Sequence, residues 1–278
     1  QVEVITTGKF ILHEDFPSEF VSSRNIEVWL PKQYDSVDAV PVLYMFDGQN
    51  IFHAFEGWGG ETNPGWRVDD VLDSLITIRS IPPIMVVGVF NAQNKRGAEY
   101  MPAKPKAELS KRIAAATDEW YKSFQEQPPE SDEQLSFVVN ELKPFIDSTY
   151  KTKADQNNTY VAGSSMGGLI SAYAICEYPE VFGGAACFST HWIPFNGIFL
   201  EYIKTNLPDP ENHKIYFDYG TETLDAEYAP FQEIADSAMI ARGFKSDGNW
   251  ITMKFEGAKH HEEDWHKRFH IPMEFLLK

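Results

Sequence analysis

The sequence predicts an α/β fold: a mostly parallel central sheet with helices on both faces. Three observations carry this expectation. Short apolar runs alternate with longer amphipathic stretches almost to the last residue, the rhythm of strand–helix–strand units. One such run, Thr159-Tyr160-Val161-Ala162, passes through Gly163-Ser164-Ser165-Met166-Gly167-Gly168 directly into Leu169–Ile175, the pattern of a strand, a sharp turn and a helix. No internal repeat or low-complexity linker divides the 278 residues, so one domain over 1–278 is expected.

Taken in order, the candidate strands are Asn25–Leu30, Val40–Phe46, Ile84–Phe90, Thr159–Gly163, Gly183–Phe188, Lys214–Tyr219 and Trp250–Glu256. Each is a short run rich in β-branched, aromatic or other apolar residues, bounded by turn formers. Helices are expected over Val68–Ile78, Ser131–Tyr150, Met166–Glu177, Phe195–Thr205, Glu227–Arg242 and Glu262–Leu277. Ser131 with Gln134 has the spacing of a capping box opening the second helix. Two stretches break the rhythm. Asn50–Trp66 is rich in glycine and aromatics, and Asn91–Glu130 carries Pro102, Pro105, Pro128 and Pro129 around an amphipathic segment near Ala107–Phe124. Both follow candidate strands, and in a parallel sheet the loops beyond the strands' carboxyl ends build the binding crevice.

Composition narrows the function. A formal net charge of −17 disfavours nucleic acid and anionic membranes as partners. No apolar run approaches the roughly 20 residues needed to span a bilayer. Cys176 and Cys187 are too few for a disulfide framework and are expected as free, buried thiols. The chain begins at Gln1 rather than methionine; export with removal of a signal peptide, to a secreted or periplasmic location, is the first expectation drawn from it, and a cytoplasmic location the alternative.

The chemistry starts at Ser165. A turn this sharp strains its central residue and leaves room only for small neighbours, here Gly163 and Gly167. It holds the hydroxyl clear of the backbone at a helix N-terminus, where the dipole favours developing negative charge. A serine nucleophile needs a base, and the loop after the last strand offers His260 and His261. The base needs an acid, and Gly220-Thr221-Glu222-Thr223-Leu224-Asp225 supplies Asp225 and Glu222, with Asp225 preferred. Asp218, inside the strand, is less well placed. Two backbone N–H groups would hold the oxyanion: that of Met166, after the nucleophile, and one from Asp47-Gly48-Gln49-Asn50, where Gln49 is the candidate. Trp58, Trp66, Trp192 and Phe195 are candidates for an aromatic-walled substrate cleft. His260, His261, His266 and His270 crowd together but match no metal-ligand spacing: four residues after His261 stands Trp265. No metal and no cofactor is expected, and His266 with His270 reads as a solvated helix face.

These residues, with Asn25–Pro31, Pro41–Asn50, Val87-Gly88-Val89 followed by Arg96 and Glu99-Tyr100, Glu141–Asp147 and Tyr178–Gly183, give the chain its resemblance. It resembles the esterase D family of α/β-hydrolases, which includes enterochelin-type siderophore esterases, S-formylglutathione hydrolases and the feruloyl and acetyl esterases of the first carbohydrate-esterase family. The family pattern of glycine, then histidine, then tryptophan five residues on selects His260 with Trp265 over His261. Asp47-Gly48, where many hydrolases have His-Gly, points to the enterochelin and carbohydrate-esterase branches. The acid region departs from the better-known members, so Asp225 and Glu222 both stay open. The resemblance implies a serine esterase working through an acyl-enzyme on a small-molecule or polysaccharide ester. Acetyl or feruloyl esters on plant polysaccharide are the first expectation. A ferric siderophore ester is the alternative, and a catalytically silent binding protein the non-enzymatic one.

Overall fold

A computed structural model describes residues 7–56 and 62–278. Eight strands form one sheet in the order β1 (Gly8–Phe16), β2 (Arg24–Pro31), β6 (Met85–Val89), β3 (Val42–Phe46), β7 (Thr159–Ser164), β8 (Gly184–Phe188), β9 (Lys214–Gly220) and β10 (Trp250–Phe255). From β6 to β10 all neighbours run parallel; β1 and β2 add an antiparallel edge. A separate two-stranded hairpin joins β4 (Phe55–Glu56) to β5 (Thr62–Asn63). Neither β1 nor this hairpin is among the expected strands. β1 lies at the sheet edge and mixes Lys9, His13, Glu14 and Asp15 with its apolar residues, which hides the strand signal.

The helices are α1 (Val68–Thr77), α2 (Arg96–Tyr100), α3 (Lys106–Ala114), α4 (Glu119–Glu126), α5 (Ser131–Phe137), α6 (Lys143–Thr149), α7 (Met166–Glu177), α8 (Pro194–Asn206), α9 (Ala229–Arg242), α10 (Glu262–Arg268) and α11 (His270–Leu277). Strand β3 shows how they cover both faces. Val42, Tyr44 and Phe46 join an apolar cluster with Leu142, Leu169 and Ile170, whereas Leu43 and Met45 join one on the other face with Leu72, Ile76 and Phe269. This period of two is what a strand buried on both sides requires.

Three expectations are corrected. The helix expected over Ser131–Tyr150 widens to a π-turn at Val138–Leu142. Pro144 lacks the N–H that would bond to residue 140, and the wider turn absorbs its ring. The capping box is not formed. Glu130 is the N-cap, the Ser131 hydroxyl accepts the Ala103 N–H at 2.9 Å, and Gln134 Oε1 accepts a bond from Arg24 at 2.8 Å. The last helix breaks at Phe269, and Pro272 occupies the first turn of α11, where its missing N–H costs no intrahelical bond. Cys187 is a buried free thiol, as expected, and Cys176 a half-buried one. No described helix is long and apolar enough to cross a membrane.

Candidate active site

The site lies at the carboxyl ends of the parallel strands, where the chain order turns. From β3 the chain crosses first to β6 on one side and then to β7 on the other. Such a switch point opens a crevice between diverging loops. Here the two flanking strands deliver the Asp47 loop and Ser165. Left-handed residues follow the strands around the crevice: Asp47 after β3 (φ 61°), Gln93 after β6 (φ 48°), Ser165 after β7 (φ 57°), Ser189 after β8 (φ 40°), Thr223 after β9 (φ 54°) and Gly257 after β10 (φ 75°). Non-glycine residues hold this conformation only where the surroundings enforce it, and such strain concentrates at functional sites.

Ser165 stands between β7 and α7 with ψ −122°, its N–H donating to the Phe188 carbonyl at 2.9 Å and its carbonyl accepting from Leu169 at 3.0 Å. The glycines around it have a steric cause. A Cβ on Gly163 would lie 2.6 Å from the Gly167 carbonyl carbon. The Met166 N–H is the first of the helix and has no intrahelical acceptor. The loop after β3 forms a tight turn, Gly48–Asn50, whose first bond runs from Asn50 N–H to the Asp47 carbonyl at 2.9 Å. The Gly48 and Gln49 amides precede that bond and are free of it. A Cβ on Gly48 would meet the Gly88 backbone at 2.5 Å, so glycine lets this turn pack down on β6.

His260 and Asp225 meet. The His260 Nδ1–H donates to Asp225 Oδ1 at 2.6 Å, and Asp225 is buried. Its second oxygen accepts the Ser189 hydroxyl at 2.5 Å and the Gly220 N–H at 2.6 Å. Burial alone would raise this carboxyl's pKa, but the bonds from His260, Ser189 and Gly220 hold it below the ordinary carboxylate value. Ser189 Oγ in turn accepts from Trp265 Nε1 at 2.9 Å and Arg268 Nη2 at 2.8 Å, and Arg268 is anchored on Asp218 at 2.8 and 2.9 Å. Asp218 is therefore a buried ion-pair partner supporting the acid from behind. Trp265, which the sequence pattern linked to His260, stands edge-on to that imidazole at 5.0 Å.

Glu222 does not reach the histidine. The Ala258 carbonyl accepts the N–H groups of both Thr221 and Glu222 at 3.0 Å, and this zipping of the two loops leaves the Glu222 side chain exposed. His261 caps α10, its Nδ1 accepting the Glu263 N–H at 3.2 Å. His266 is half-buried with Nδ1 bonded to the Trp66 carbonyl, so only His270 of that pair lies on a solvated face.

The aromatic cleft is not built from the expected tryptophans. Trp66 is 3% exposed, packed against Trp265 and Phe188, and Trp192 is 1% exposed, stacked on Phe199 with its Nε1–H bonded to Gln232. Phe195 is buried against Tyr121. All three are core. Trp58 lies outside the described residues. In their place stand residues that sequence reasoning passed over. The Tyr228 hydroxyl lies beside the Ser165 side chain and is hydrogen-bonded to His191 Nδ1 at 2.7 Å, while its ring is edge-on to His260 at 5.9 Å. Burial, with the His260 ring and the Arg96 guanidinium nearby, pushes His191 down to about 3, so this imidazole is neutral at working pH. Trp120 of α4, 40% exposed, approaches the His191 ring at 6.2 Å. No local spacing signals these partners: Tyr228 and His191 are 37 positions apart, and His191 and Trp120 are 71 apart.

Comparison with known proteins agrees with this architecture. The esterase family model, described as "Putative esterase", matches residues 18–273. The uncharacterized protein YbbA of Bacillus subtilis (strain 168) is 23% identical over 261 residues, covering 91% of this chain and 92% of the relative. A solved ferulic acid esterase superposes with a TM-score of 0.69 at 17% identity, covering 97% of this chain and 98% of its own. The enterobactin esterase FES of Shigella flexneri, solved with enterobactin, gives 0.63 at 19% identity over 99% of this chain and 60% of its own. The same enzyme solved with 2,3-di-hydroxy-N-benzoyl-serine gives 0.62. At these identities the structural likenesses establish the α/β-hydrolase fold.

Proposed function

The chain belongs to the esterase family matched over residues 18–273 and is a serine-hydrolase-type carboxylic ester hydrolase, and we propose that Ser165, His260 and Asp225 carry out its reaction. The observation that carries this is the 2.6 Å bond between His260 and a buried, ionised Asp225, made at the same end of the sheet as the strained Ser165. Ser165 Oγ attacks the ester carbonyl carbon while its proton passes to His260 Nε2. Asp225 keeps the other ring nitrogen protonated and stabilises the imidazolium that forms. The alkoxide of the tetrahedral intermediate takes the Met166 and Gln49 N–H groups, each such donor being worth about a hundred- to a thousandfold in rate. Collapse breaks the ester C–O bond, His260 returns the proton to the leaving alcohol, and water repeats the cycle on the acyl-enzyme.

For the substrate, the strip Trp120–His191–Tyr228 leading to His260 supports an ester with an aromatic ring near the scissile bond. Ferulate and the dihydroxybenzoyl ligands of the similar structures both carry such a ring. Between the two readings, the siderophore-type ester stands ahead of the feruloyl or acetyl polysaccharide ester, supported by the solved enterobactin esterase of Shigella flexneri and the iron(III) enterobactin esterase of Escherichia coli, both of which are similar to this chain. The test is a panel of p-nitrophenyl acetate, methyl ferulate, acetylated xylan and ferric enterobactin, assayed side by side. Ser165→Ala is expected to abolish every activity found, and turnover persisting in that variant would end the proposed mechanism.

A further inference from the structure

We propose that Arg96 acts on the oxyanion loop through charge: its ion pair with Asp47 cancels a negative charge that would otherwise oppose the developing alkoxide. The inference rests on the esterase reading above.

Asp47 brings a negative charge to the mouth of the oxyanion loop. It follows β3 in the left-handed conformation and immediately precedes the Gly48–Asn50 turn, which carries the proposed oxyanion donor Gln49. Aspartate tolerates that backbone better than most residues, which explains its shape but not its charge. Its carboxylate is turned toward the nucleophile helix: a Cβ on Gly167 would lie 3.2 Å from Oδ2. The first turn of α7 is where the dipole and the Met166 N–H would stabilise a forming oxyanion. An unpaired carboxylate there would compete for the same positive potential and repel the second negative charge at short range, in a setting that water screens poorly.

Arg96 meets this carboxylate in a fork. Nε donates to Oδ1 at 2.7 Å and Nη2 to Oδ2 at 2.6 Å, with Asn91 Nδ2 donating a further bond to Oδ1 at 2.6 Å. The guanidinium lies over the Tyr100 ring at 5.2 Å, and the Tyr100 hydroxyl accepts the Asp47 N–H at 3.1 Å. Gln49 Oε1 accepts the Asn91 N–H at 3.2 Å. The segment after β6 thus grips the turn at both ends, and Arg96 supplies the one positive charge in that grip. Shape and charge are separable, because a neutral Asp47→Asn needs no cation.

The experiment is steady-state hydrolysis of p-nitrophenyl acetate with thermal melting of each variant. Arg96→Gln, which leaves the carboxylate unpaired, is expected to lower kcat about a hundredfold with KM within about twofold, the scale of losing one oxyanion donor. The double variant Asp47→Asn with Arg96→Gln should recover to within about tenfold of the parent, since the repelling charge is gone. A double variant that melts cooperatively but stays as slow as Arg96→Gln would overturn charge balance. Should Arg96→Gln fail to fold, Arg96→Lys and Asp47→Asn decide. Each should stay within about tenfold of the parent, and a hundredfold loss in either, as folded protein, overturns the proposal. A parent enzyme that hydrolyses no ester, or a Ser165→Ala variant that still does, would instead overturn the esterase reading itself.

Discussion

Ser165, Asp47, Ser189 and Thr223 each hold a backbone that L-residues avoid, at roughly 1–2 kcal/mol apiece. The strained positions carry groups that serve the site: the buried Ser189 hydroxyl donates to Asp225 at 2.5 Å. Thr223 illustrates the return: its hydroxyl accepts the His260 N–H at 2.9 Å and thereby sets where the imidazole stands relative to Asp225. The same geometry separates the two candidate acids. Asp225 is buried and accepts hydrogen bonds from His260, Ser189 and Gly220, whereas the Glu222 side chain is exposed. Asp225→Asn is expected to lower kcat by about three to four orders of magnitude by removing the group that fixes the histidine tautomer. Glu222→Gln should stay within about twofold, and comparable losses in the two variants would contradict the assignment. The held-down pKa of Asp225 also fixes a sign. Its contribution to stability is present above the ordinary carboxylate range and fades as pH falls through the lower folded-state value.

At the scale of elements, the α3–α4 pair converts a long proline-rich insertion into part of the site. Asp118 caps α4 by accepting the Trp120 and Tyr121 N–H groups at 2.9 and 3.3 Å. Phe124 and Tyr121 then anchor the helix on Phe195, at 5.7 and 4.7 Å between rings, leaving Trp120 outward beside His191. Arg112 of α3 donates to the Phe195 carbonyl at 2.5 Å, where Phe195, Asn196 and Gly197 run left-handed in succession. An aromatic contact of this kind is worth about 0.5–1.5 kcal/mol. Trp120→Ala should therefore raise KM for methyl ferulate about three- to tenfold while leaving p-nitrophenyl acetate within about twofold. An equal effect on both esters would remove Trp120 from substrate recognition. The sequence showed one amphipathic segment near Ala107–Phe124, where the structure forms two helices, and it could not say which of their aromatics faces inward. Trp120, Tyr121 and Phe124 lie within one and a half turns, and only the partner Phe195 decides.

For the whole molecule, the charge of −17 sets a long-range field that the site must work within. Raising the ionic strength from about 0.01 to 0.15 M shortens the Debye length from about 30 to 8 Å. If the substrate is an anionic ferric siderophore, its kcat/KM should rise severalfold over that range, while neutral methyl ferulate stays flat. A siderophore rate that falls with salt would mean that the cleft itself attracts anions against the global field.

The sequence alone determined the strand–helix alternation and the Ser165 turn between Gly163 and Gly167; His260 was preferred over His261 only through the family resemblance. The alternation and the turn are legible because their causes are local: burial on both faces sets a strand's composition, and a Cβ at Gly163 would collide with the backbone four residues on. Tertiary structure decided which carboxylate serves His260, that Trp66 and Trp192 belong to the core, and that Asp47 is neutralised by Arg96, 49 residues away. The acid was undecidable locally because Glu222 and Asp225 share one loop. Their fates separate only once parallel pairing sets Phe255 beside Gly220 and the Ala258 carbonyl takes the Thr221 and Glu222 amides, turning one carboxylate out and the other under the histidine.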